Sequence, residues 1–254
     1  MNQRPIRTST ADVRVHPVSE SLATDMIVGT LDGPKTKPGL IVTPNMHHLA
    51  ILESTDLLAG AYGRASLVLA DGWPVVLLAR MLGSSVRRRA TGSGLVERLS
   101  QARVSGLRVC VIGGSSSASN QMAVQKFAIS GWAAFGQQAP RHVVEDKLGR
   151  LQLIRDVISS EPSLIIVGIG SPKQEVLGLE LLENGFTGWI LCAGAGVDFL
   201  SGQVRRSPGV LRVLGLEWLH RIASEPRRLL VRYGSDILPF ICVAFRSLSG
   251  KPPA

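Results

Sequence analysis

Aromatic residues are scarce in this chain, at 5% of 254 residues, so the core must be built from Val, Leu, Ile and Ala. That favours parallel strands buried on both faces, which read as continuous aliphatic runs. Cysteine is rarer still: Cys110, Cys192 and Cys242 stand far apart, without metal-ligand or redox spacing. Cys110 and Cys192 sit inside apolar runs, where a thiol behaves as a small buried hydrophobe, and a reducing cytoplasm is expected. There is no apolar run of the roughly 18 residues that a membrane-spanning helix needs. The N-terminal stretch has no apolar core and does not read as a signal peptide. Neither GxGxxG nor GxxxxGK[ST] occurs, so the dinucleotide fingerprint and the Walker loop are both missing. Acids are in the minority, 19 against 28 Lys and Arg, for a formal charge of +9. Such a balance implies an anionic partner: nucleic acid, anionic lipid or a phosphate-bearing substrate.

What is present is a regular alternation. Short aliphatic runs predict strands at Leu40–Thr43, Ser66–Ala70, Leu107–Ile112, Trp132–Phe135, Leu164–Val167 and Trp189–Ala193. Amphipathic stretches predict helices at Met46–Ala59, Pro74–Leu82, Gly94–Arg103, Ser117–Ser130, Lys147–Ser160 and Lys173–Asn184. This order argues for an α/β fold, a Rossmann-like mostly parallel sheet with helices on both faces. Ser171-Pro172 reads as a helix start and Asn184-Gly185 as its stop. Residues 1–20 are polar and aperiodic and read as a loose leader, 21–202 as the α/β domain, and 203–254 as a basic amphipathic helical appendage.

In an open α/β sheet, ligands bind outside the carboxyl ends of the strands, so the residues directly after each strand matter most. Thr43-Pro44-Asn45 offers a hydroxyl and an amide to a sugar, or else a helix cap. Asp71-Gly72-Trp73-Pro74 places a carboxylate at a strand end, suited to a general base or to an N-cap. Gly113-Gly114 and the serines that follow let backbone amides approach a diphosphate. Gly168-Ile169-Gly170-Ser171-Pro172-Lys173-Gln174-Glu175 is the richest junction. Lys173 suits a phosphate and Gln174 a sugar or base, while Glu175 also fits a surface helix as a carboxylate complementing its dipole. The small residues from Ala193 to Gly202 suit either a ligand against backbone or close packing. His47 and His48 show no pattern that marks a ligand.

From Gln203 to Tyr233 there are seven arginines, no lysine and two acids, Glu217 and Glu225. Arg221, Arg227, Arg228 and Arg232 recur at one or two helical turns, and arginine makes forked contacts to phosphate. With ILPFICVAF downstream, the segment also suits an interfacial helix on an anionic membrane.

Taken in order, VTPNMHHL, LADGWPVV, RRATGSGLVERL, VIGG, IIVGIGSPKQE, AGAGVDFLSG and RRSPGVLRVLGLEWLHRIASEPRRLLVRY resemble the WecG/TagA/CpsF family of bacterial glycosyltransferases. The resemblance covers about residues 40 to 233. It implies an inverting hexosyltransferase that moves a sugar of the N-acetylmannosamine, N-acetylmannosaminuronic acid or glucuronic acid type. The donor would be a UDP-sugar and the acceptor a polyprenyl-diphosphate-linked saccharide, in cell-surface polysaccharide synthesis such as exopolysaccharide. The family lacks the metal-binding Asp-x-Asp motif, which is absent here too, so no metal or other cofactor is expected. By the same resemblance Asp71 matches the catalytic base, Thr43, Asn45, Arg89 and Gln174 line the site, and the tail arginines close over the diphosphate. Gly94 stands where the family often has an acid. The implied location is the inner face of the cytoplasmic membrane, peripherally bound, with the tail's aliphatic surface meeting lipid, a partner subunit or a second copy. A basic nucleic-acid-binding module or another nucleotide-dependent α/β enzyme would also suit the charge. No nucleic-acid motif is present, however, so no nucleic-acid partner is expected.

Overall fold

The computed structural model describes residues 3–31, 39–204 and 226–250. Two short antiparallel strands, β1 (Ile6–Arg7) and β2 (Asp12–Val13), precede α1 (Glu20–Leu31). The central sheet then contains β3 (Leu40–Val42), β4 (Ala65–Val68), β5 (Arg108–Gly113), β6 (Ala133–Gln137), β7 (Leu164–Gly168) and β8 (Trp189–Cys192). All are parallel, in the order β4-β3-β8-β7-β5-β6.

The aliphatic runs are explained by burial on both faces. Leu40, Val42, Cys110, Ile112, Ile165, Val167, Ile190 and Cys192 point into one core, and Ile41, Val109, Val111, Ile166 and Leu191 into the other. The first core is covered by α2 (Met46–Ser54), α3 (Ala59–Arg64), α4 (Trp73–Met81), α8 (Lys147–Ser159) and α9 (Lys173–Glu183). The second is covered by α1, α5 (Gly92–Gln101), α6 (Ser117–Ile129) and α10 (Gly196–Ser201). The short α7 (Arg141–Glu145) leads into α8. This is the doubly wound α/β architecture that the alternation predicts.

Three expectations change. The leader is not loose: Ile6, Thr8, Val13 and Val15 are buried, and His16 N–H donates to Val68 O at 2.8 Å on the edge strand. Its apolar residues are too few and too scattered to show a period, and their partners lie far along the chain. The helix expected over 46–59 stops at Ser54, where Thr55 turns extended, and α3 begins at Ala59. Ser171 is not the N-cap of α9, because Pro172 occupies that position without a side-chain bond. The helix's stop does follow expectation, with Gly185 at φ 92° after Asn184.

The tail helix α11 (Pro226–Ser249) packs on α2 and β1. Asp236 meets His47 at 2.9 Å, and Arg246 meets Glu53 at 2.7 Å. Because both pairs advance in the same direction, α11 runs alongside α2 in parallel sense. Leu230, Val231, Leu238, Ile241 and Phe245 remain exposed on it. Among the described residues no helix is long and apolar enough to cross a membrane.

Candidate active site

The loops after β3 and β7 lead to helices on one face of the sheet, and those after β5 and β8 to helices on the other. Neighbouring chain segments therefore diverge at the carboxyl edge, the place where open α/β sheets form their ligand crevice. Gly113 ends β5, and Thr43, Asp71, Gly170 and Gly194 follow β3, β4, β7 and β8 within three residues, so all five stand along this edge.

Asp71 is half-buried, and its N–H donates to Pro44 O at 2.8 Å. The N-cap of α4 is Gly72, at φ 98°, and it makes no side-chain bond. Of the two readings of Asp71, the N-cap is thus excluded. Ala90 N–H donates to Ala70 O at 2.8 Å, which brings Arg89 to the end of β4, near Asp71. Asn45, by contrast, is a cap: its Oδ1 accepts from the N–H groups of His47 at 3.0 Å and His48 at 3.3 Å. Thr43 is buried beside it.

Beneath this rim lies a buried polar chain. His48 Nδ1 is 2.9 Å from Asn45 Oδ1 and its Nε2 is 3.2 Å from Glu175 Oε1. Gln174 Nε2 donates to the same carboxylate at 2.7 Å, and Gln174 Oε1 accepts from Gly194 N–H at 2.8 Å. Gln174 and Glu175 are 3% and 0% exposed, so Glu175 is no surface carboxylate and both polar ends of Gln174 are engaged within the protein. Burial by itself would raise the Glu175 carboxyl, but the His48 charge and the Gln174 hydrogen bond outweigh it and hold the group below the usual carboxylate range. Tyr62, buried nearby, has its hydroxyl pushed well up by burial and then by the Glu175 charge. The chain ties together the starts of α2 and α9 and the loop after β8.

The glycine pair is used for packing. Gly113 and Gly114 adopt φ 89° and 101°, and a Cβ on Gly113 would stand 2.8 Å from Gly168 O. Gly114 N–H donates to Gly168 O at 3.0 Å, and Ser115 N–H donates to Asp198 Oδ1 at 2.7 Å. The Gly114 and Ser115 amides, two of those in the stretch expected to approach a diphosphate, are therefore bonded within the protein. Gly170, at φ 83°, faces open space. Lys173 Nζ lies 2.7 Å from Glu145 Oε1, whose carboxyl is lowered to about 2 by hydrogen bonds from Lys173 and Arg141.

Among the tail arginines, Arg227 is exposed at the start of α11. Arg221 lies outside the described residues, as does the side chain of Arg228. Because Asp236 meets the first turn of α2, the preceding stretch of α11 reaches roughly 15 Å past it on the crevice side, at 1.5 Å per residue. Among the described residues, no three His, Cys, Asp or Glu side chains form a set able to hold a metal ion.

Sequence reasoning missed His48 and Glu20. The first lies three positions after the capping Asn45, inside an apolar helix, where a pairing signal is weak. The second begins a helix that strand–helix counting passed over.

Fold and rim together define a doubly wound α/β protein with its crevice at the carboxyl edge of a parallel sheet. The chain belongs to the glycosyl transferase WecG/TagA/CpsF family, whose family model matches residues 8–253, and is thus a glycosyltransferase.

Proposed function

We propose that this glycosyltransferase uses a UDP-sugar donor and a polyprenyl-diphosphate-linked saccharide acceptor, with inversion at the anomeric carbon and without a divalent ion. The observation that carries the reading is the placement of Asp71. It stands at the crevice rim and does not cap α4, and Ala90, bonded to Ala70, brings Arg89 close by.

Asp71 accepts the proton of the acceptor hydroxyl as that oxygen attacks the anomeric carbon. The new carbon–oxygen bond forms as the bond to the UDP oxygen breaks, and UDP departs with its negative charge. Fixed cations are needed for that charge, and Arg89 with Arg221, Arg227 and Arg228 would provide them. Thr43, Asn45, Gly113, Gly114, Gly170, Lys173, Gln174 and Glu175 line or support the same crevice. The exposed apolar residues of α11, next to arginines, suit docking on an anionic bilayer surface, where a lipid-tethered acceptor would be met.

Calorimetric titration of UDP into the full chain with EDTA present tests the reading. Saturable binding is expected. Binding that appears only on adding Mg²⁺ or Mn²⁺ would overturn the arginine mechanism, and no binding by folded protein under either condition would overturn the UDP donor.

A further inference from the structure

Thr91 is the N-cap of α5, its Oγ1 accepting from Gly94 N–H at 2.9 Å. A capping box completes such a start with a side chain at the third helical position reaching back to the N-cap's own N–H. Here that position is Gly94, which has no side chain to offer. The Thr91 N–H is nevertheless satisfied. It donates to Glu20 Oε1 at 2.9 Å, and the Thr91 hydroxyl donates to the same oxygen at 2.9 Å. Glu20 is the first residue of α1, 71 positions earlier. A Cβ built on Gly94 would fall inside its carboxylate, so Glu20 occupies the space that a local acid would fill. Arg98 Nε is 3.6 Å from the other oxygen.

The turn held in this way is a strap across the carboxyl edge of the sheet. At one end Ala90 is bonded to Ala70, the residue before Asp71. At the other, Gly92 packs so closely that a Cβ would stand 3.1 Å from both Cys192 O and Ala193 Cα. Arg89 lies on this strap, which runs from the end of β4 past β3 to the end of β8.

We propose that Glu20 is a positioning residue for the active site: it completes the α5 capping box from another helix and so fixes the strap that carries Arg89 beside Asp71. Its importance for turnover rests on the strand-end crevice being the transfer site. Its anchoring of the strap does not. The carboxylate also sits at a helix N-terminus, where negative charge is favoured. An acid at position 94 would supply the same bond locally, in the pattern Thr-x-x-Asp.

The test compares wild-type full chain with Glu20→Ala, Glu20→Gln, Gly94→Asp and the double variant Glu20→Ala/Gly94→Asp. Amide exchange over residues 90–93 and the kcat for transfer from a UDP-sugar are both read. Glu20→Ala is expected to speed exchange of the Thr91 amide and lower kcat about tenfold or more, as misplaced site groups do. Glu20→Gln, which keeps an acceptor oxygen, and the double variant should return kcat to within about threefold of wild type. Gly94→Asp alone should lose activity, because two carboxylates then claim one space. Wild-type exchange and turnover in Glu20→Ala would overturn the proposal. So would a loss that neither Gln at 20 nor Asp at 94 restores. If the wild type does not use UDP-sugars, the functional reading fails, while amide exchange still decides whether Glu20 holds the strap.

Discussion

His48 Nε2 and Glu175 Oε1 lie 3.2 Å apart with side chains 6% and 0% exposed, joining the first turn of α2 to the first turn of α9. Breaking one side of such a pair leaves the other buried and unsatisfied, so Glu175→Ala should cost about 3–5 kcal/mol. Glu175→Gln keeps hydrogen bonding and should cost less. The carboxyl's value is depressed on folding, so its contribution is fully present above the unfolded value of about 4.3 and lost as pH falls through the folded value. The stability gap between wild type and Glu175→Gln, followed by urea unfolding at acidic pH, should shrink once pH drops below that unfolded value. A gap that grows below that value would refute the assignment.

Asp71→Asn preserves shape at the end of β4 but removes the proton acceptor. Turnover should fall about 10²-fold or more while UDP affinity stays near wild type. Single-turnover kinetics beside calorimetry separates these effects. An equal loss in binding and turnover would show that Asp71 holds the donor.

Glu145 Oε1 pairs with Lys173 Nζ at 2.7 Å and neutralises its charge. If Lys173 serves the diphosphate, Glu145→Gln frees its charge and should tighten UDP binding several-fold, an effect that added salt diminishes. Unchanged affinity in Glu145→Gln would remove Lys173 from the binding set.

Gly113 and Gly170 share a left-handed backbone but not its surroundings. Gly113→Ala meets Gly168 backbone as well as strain, and should destabilise by roughly 2–4 kcal/mol. Gly170→Ala projects into open space and should cost about 1–2 kcal/mol from backbone strain alone. If Gly170 lines the donor site as proposed, its effect on UDP affinity should exceed its effect on stability. Thermal unfolding with and without UDP distinguishes the two sites.

Much of this architecture was legible before any fold was known. Leu164–Val167 and Trp189–Ala193 are apolar without interruption because both of their faces are covered, and that pattern is local. The positions of Asp71 and Gly170 after strands follow from the same reading, since a parallel sheet puts every strand end on one edge. The roles of Gln174, Glu175 and Asn45 were not legible in the same way: a polar residue after a strand reads alike whether it turns toward ligand or toward protein.

The sequence by itself therefore determined the six strands, the helices that separate them and the rim where chemistry is placed, because hydrophobic period and turn residues act over a few positions. Only the tertiary structure decided which polar groups meet. Glu175 finds His48 across 127 positions, Thr91 finds Glu20 across 71, and Arg7 N–H finds Ser247 Oγ across 240. Burial makes each of these partnerships necessary, since a polar group removed from water must be satisfied by whatever the packing brings beside it. Nothing in the spacing along the chain specifies that neighbour.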